Sequence, residues 1–198
     1  VRFRGIAKSD STDNPSRKHS GGWRDRTRRF PASGRCAGGG AHENHSVSRG
    51  TTLMKLGLLL WLASVLPQPT ADRVCLASTI YLEARSESAL GQAAVAEVAM
   101  RRRENGQWGN TLCSVLRARG QFALSTTGIN YIVDELPAWQ NAWLVAGVAM
   151  NVWSLPPHMR VALVPKADHF FAASASPPAW AKGNPLAVIG DHRFYSAN

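Results

Sequence analysis

Tyr81-Leu-Glu-Ala-Arg-Ser-Glu87, followed by Gly91-Gln-Ala-Ala-Val-Ala-Glu-Val98, decides how the chain is read. Glu83 sits in the middle of an apolar helical pattern, with Arg85 two residues on and Glu87 four residues on. Val74, Ala77, Ile80, Tyr81 and Ala84 recur at helical spacing, and Asp72 stands where a helix cap belongs. This predicts a helix from Asp72 to about Ser86. A second helix is expected over 92–103, opened by Gly91, with Ala93, Val95, Ala96, Val98 and Ala99 inward. An acid held among apolar neighbours has a raised pKa and can donate a proton near neutral pH. Glu83 is therefore the candidate working residue. The other reading is a surface glutamate paired with a nearby arginine.

Outward from this stretch the pattern stays helical, then changes. Arg101-Arg-Arg103 reads as a solvated helix end whose cations suit the dipole, with a polymer-binding patch as the alternative. Asn105-Gly106 marks a turn, Trp108–Leu116 a short third helix, and Arg119–Phe122 a loop. Ala138–Trp153 is a further amphipathic helix. Beyond it, Ala162–Val164, His169–Ala172 and Val188–Tyr195 read as strands, separated by turns at Pro177–Trp180 and Gly183–Pro185. A helical front and a small β-rich tail make an α+β domain over 72–198.

The leading part is different. The net charge is +10, but residues 1–53 carry eleven Lys/Arg against four Asp/Glu, and residues 54–198 carry twelve against nine. The basic character belongs to the leader, so it is no argument for nucleic-acid binding by the body, and no nucleic-acid partner is expected. Residues 1–53 show no persistent apolar period and are expected to be a disordered basic leader, either an upstream over-read or a tail for an anionic polymer. Met54-Lys55 and the apolar run Leu56–Leu66, ended by Pro67-Gln-Pro69, read as a signal peptide or anchor over 54–71. The run is shorter than the roughly 20 residues a spanning helix needs. Transient membrane contact through 56–66 and an exported, monomeric body are the corresponding expectations.

Cys75 and Cys113 form an even pair in the body, a candidate disulfide if the body is exported. Their spacing does not make a metal clip. No HExxH, Walker loop or Gly-x-Ser-x-Gly is present, which counts against a zinc peptidase, an NTPase and an esterase. No cofactor or metal is expected.

Five pieces stand in order: Tyr81–Glu87, Gly91–Ala96, Asn110-Thr-Leu-Cys-Ser-Val115, Gln121-Phe122 and Ile189-Gly-Asp-His-Arg-Phe-Tyr195. The series resembles the cell-wall hydrolase family typified by the spore-cortex-lytic enzyme SleB, over roughly 74–195. The resemblance implies a mainly helical, lysozyme-like fold with a small sheet. It implies peptidoglycan as partner and substrate, cut at the MurNAc–GlcNAc β-1,4 bond by a lytic transglycosylase or a muramidase, with Glu83 as catalytic glutamate; the alternative from another class is a wall-binding protein without activity. The chain departs from the family where Arg101-Arg102 replaces Asn-Arg and where Phe171 stands in for a histidine.

Around Glu83, Gln121 and Phe122 are expected to form a sugar subsite, and His192 and Tyr195 either to line the cleft or to tie sheet to helices. Arg85 and Glu87 are supporting candidates, with Glu87 read mainly as a structural acid. Asp134 and Asp191 are candidates for a second carboxylate, and Glu97 is read as a partly exposed structural acid. Trp180 either stacks on a sugar or packs in its turn.

Overall fold

Helix α2, Thr70–Ala84, carries Glu83 through the middle of the molecule. In the computed structural model, which describes residues 54–197, Cys75, Leu76, Ala77, Ile80 and Tyr81 are all fully covered. So many covered positions go beyond one apolar stripe, and α2 is a central helix wrapped by its neighbours. Those neighbours are α1 (Leu56–Val65), α3 (Ala89–Asn105), α4 (Leu112–Arg117) and α5 (Leu136–Trp153). The leader expected over 1–53 lies outside the described residues.

Local chemistry corrects several expected boundaries. Asp72 does not cap its own helix, which starts at Thr70 after Pro69. Its carboxylate instead accepts the Cys113 N–H at the head of α4, 3.0 Å away. Thr111 and Ser114 close a capping box on α4, and a Cys75–Cys113 disulfide joins the same two helices. α3 begins at Ala89, with the Ser88 hydroxyl accepting from Gly91 N–H, so Gly91 lies inside the helix rather than opening it. Gly106 ends α3 in the left-handed conformation.

Residues 54–65 are folded onto the body. β1 (Met54–Lys55) pairs antiparallel with β2 (Ile132–Val133). Leu56 and Gly57 donate to the carbonyls of Tyr131 and Ile129 at 2.9 and 2.8 Å. Leu56 and Leu59 are buried, while Leu58, Trp61 and Val65 are exposed. No described helix is long and apolar enough to cross a membrane.

The C-terminal sheet has the order β3-β5-β4, with β3 at His169–Ala172, β4 at Ala187–Ile189 and β5 at His192–Tyr195. The single strand expected over 188–195 is thus a hairpin that turns at Gly190-Asp191, where Gly190 has φ 56°. Ala162–Val164 forms no strand. The Leu163 and Val164 N–H groups donate instead to Glu97, which is 4% exposed rather than partly exposed and also pairs with Arg101. The α+β class holds.

Candidate active site

Glu83 lies one residue before the end of α2, with its carboxylate against the turn that follows α4. Oε1 accepts the Ala123 N–H at 2.6 Å, at the start of a short 3-10 turn, Ala123–Ser125. Burial pushes the Glu83 pKa above its ordinary value, while the Ala123 N–H and the Arg102 guanidinium pull the other way. The residue keeps partial access to solvent. This is a carboxyl held protonated into a higher pH range, with one donor ready for its charged form.

Gln121 and Phe122 belong to the same turn, so the structure brings both beside Glu83. Phe122 is 3% exposed, with its ring 6.2 Å from that of Phe170, so it serves as a packed wall. Gln121 is partly exposed, and its Oε1 accepts from Arg102 at 3.3 Å.

Glu87 is held apart by other partners. Its Oε1 accepts the Asp191 N–H at 3.1 Å, and His192 Nδ1 stands 3.4 Å away without forming a proper hydrogen bond. A Cβ on Gly190 would fall 1.7 Å from Glu87 Oε2. The acid therefore fills the concave side of the β4–β5 turn and fixes that hairpin to the end of α2. Burial lowers the His192 pKa against the opposing pull of Glu87, which keeps the ring neutral at neutral pH.

His192 and Tyr195 point to opposite faces of β5, as residues three apart in a strand must. His192, Phe194 and Phe170 share the inward face. Tyr195 lies on the outer one, stacked on Phe171 with centroids 5.7 Å apart and 6.0 Å from Trp180. Trp180 also packs on His169 at 4.9 Å, so it belongs to this aromatic cluster on the outer face.

Arg85 turns away from Glu83. It pairs with Glu135 at 3.1 Å and donates to the Tyr131 hydroxyl at 2.7 Å. Asp134 is exposed, with Oδ1 3.4 Å from the Tyr81 hydroxyl, and Asp191 is exposed on its turn. Neither of them contacts Glu83. Among the described residues no group of three or more His, Cys, Asp and Glu side chains gathers where a metal ion could sit.

Sequence reasoning missed two parts of this site. Phe170 joins Phe122 to His192 through ring contacts of 6.2 and 5.3 Å. Arg102 is 4% exposed, so the basic triplet is not a solvated helix end.

Residues 86–195, more than half of the 198-residue chain, match the model of the cell wall hydrolase family. The chain belongs to the cell wall hydrolase family. The match to that family begins three residues after Glu83 and takes in the Gln121 turn and the β4–β5 hairpin. Among solved structures, the fold is similar to the catalytic domain of the germination-specific lytic transglycosylase SleB from Bacillus anthracis. That match has a TM-score of 0.50 and 24% identity, and covers 65% of this chain and 98% of the other. A comparison with curated proteins finds no match. In this cell wall hydrolase the Glu83 carboxyl, its pKa raised by burial, stands at the end of the central helix.

Proposed function

We propose that the chain cleaves peptidoglycan glycan strands at the MurNAc–GlcNAc β-1,4 bond as a lytic transglycosylase, with Glu83 as acid and then base. The observation that carries this reading is the Glu83 carboxyl, raised by burial yet met by the Ala123 N–H at 2.6 Å. The protonated carboxyl gives its proton to the glycosidic oxygen as the C1–O bond breaks. The resulting carboxylate accepts the Ala123 N–H, then takes the proton of the muramoyl C6 hydroxyl as O6 closes on C1. A 1,6-anhydro sugar leaves, and Glu83 is again protonated. The attacking hydroxyl is already part of the substrate and so acts at high effective concentration. One carboxyl suffices for this route, whereas a water-using glycosidase ordinarily has a pair. Glu87, the next acid along the chain, is engaged by Asp191 and His192. Gln121 and His192 are the proposed polar contacts to the sugars, with Phe122 as the apolar wall.

Glu83→Gln should lower the rate on purified peptidoglycan by about 10²- to 10⁴-fold. Wild-type products should carry 1,6-anhydromuramoyl ends by mass. Reducing ends would instead make the enzyme a muramidase, and an undiminished Glu83→Gln variant would remove Glu83 from the chemistry.

We also propose export, with 54–71 as signal or anchor. The disulfide supports this, because such bonds persist in oxidising compartments. The N-terminal sequence of the protein recovered from the envelope tests it. A start at Asp72 means that α1 is removed, uncovering the α2 surface beneath Leu56 and Leu59. Retention leaves Leu58, Trp61 and Val65 exposed for membrane contact. Recovery only from the cytoplasm overturns export.

A further inference from the structure

Among the described residues Arg102 is the deeply buried cation, and no hydrogen bond joins it to Glu83. Its Nε donates to the Asp168 carbonyl at 2.6 Å, and its Nη1 donates to Gln121 twice, to the backbone O at 3.2 Å and to Oε1 at 3.3 Å. The guanidinium lies 4.7 Å over the Phe122 ring and 5.3 Å from the Trp108 ring. A buried cation is expensive unless its donors are used. Here Nη1 is spent on Gln121, two residues before Ala123, whose N–H donates to Glu83. Arginine has donors only, so it fixes the orientation of the Gln121 amide. Oε1 faces Arg102, and Nε2, which has no partner among the described residues, is left as a donor for an acceptor outside the protein.

We propose that Arg102 is a positioning residue: by clamping Gln121 between α3 and the head of β3, it holds the Ala123 N–H on Glu83 and presents the Gln121 amide as a donor to an acetamido carbonyl of the glycan. The inference rests on Glu83 being the working acid. Burial lowers the Arg102 pKa to about 10, with Asp168 and Glu83 opposing, so Arg102 remains a cation at neutral pH. The charged and titratable groups around Glu83 are Arg102 from α3, Asp168 behind it at the head of β3, and, in the bend after α2, Glu87 with His192 of β5.

Arg102→Met and Arg102→Lys, each checked for folding by circular dichroism, test this proposal beside Glu83→Gln. Arg102→Met removes both the clamp and the charge. It should lower kcat about tenfold or more, move the alkaline limb of the rate profile to higher pH and raise amide exchange across 121–123. Arg102→Lys keeps the charge but cannot make the fork. It should lose kcat with a smaller movement of the limb. Should the Met variant fail to fold, Arg102→Lys decides alone. A folded variant that has lost only thermal stability, with kcat, the alkaline limb and 121–123 exchange as in wild type, overturns the proposal. If Glu83→Gln is inactive and Arg102→Met is fully active, the positioning role alone fails. If Glu83→Gln is active, the reading beneath it fails.

Discussion

A carboxyl that must first give and then take a proton is useful only if neither form is too stable, and in the role proposed for Glu83 its burial comes at a cost to the fold. Its folded pKa lies above the ordinary 4.5, so its contribution to stability is complete below that pH and is lost as pH rises through the folded value. At neutral pH the raised pKa therefore costs stability relative to an uncharged isostere, because ionisation favours the unfolded chain. Glu83→Gln, whose amide oxygen can still accept from Ala123, should melt at a higher temperature than wild type at pH 7. The difference should shrink towards nothing below pH 4.5. Equal melting temperatures at pH 7 would remove the burial argument for Glu83. At this scale the sequence was informative about Glu83, an acid in an apolar period, and uninformative about Arg102. Three adjacent arginines at a helix end look solvated, and only the approach of the 121–123 turn shows that the middle one is enclosed.

Elements were legible where one periodicity ran unbroken. α2, α3 and α5 follow from apolar residues recurring along each helix. In sequence the C-terminal hairpin reads as one strand because β-forming residues flank Gly190 on both sides, although Gly-Asp between such residues is itself a hairpin signal. The Glu87 carboxylate shows why that turn takes the residues it does. Gly190→Ala meets two obstacles, a positive φ and an Oε2 only 1.7 Å from the new Cβ. It should cost about 2 kcal/mol or more in chemical denaturation. Adding Glu87→Gly should recover the steric part and leave about 1 kcal/mol of backbone strain. A double variant no more stable than Gly190→Ala alone would show that the carboxylate does not fill the turn.

Over the whole molecule, the split of charge between leader and body was plain in the sequence, and so was the α+β class. Cys75 and Cys113 were visible as a pair, but their joining depended on α2 and α4 lying side by side, which Asp72 helps to secure. Closing that 38-residue separation stabilises the fold by about 4 kcal/mol on a chain-entropy basis. The site itself was the least legible, because its walls come from parts of the chain that meet only in three dimensions. Glu87 and Asp191 are 104 residues apart, so there is an order to how the site comes into being. A ribosome delivers the acid early and the hairpin that closes on its helix late. Before β5 is made, Glu87 has no turn to fill. The tie between Glu87 and the β4–β5 turn thus spans nearly the whole body, and a chain ending before Asp191 has nothing to fill that place.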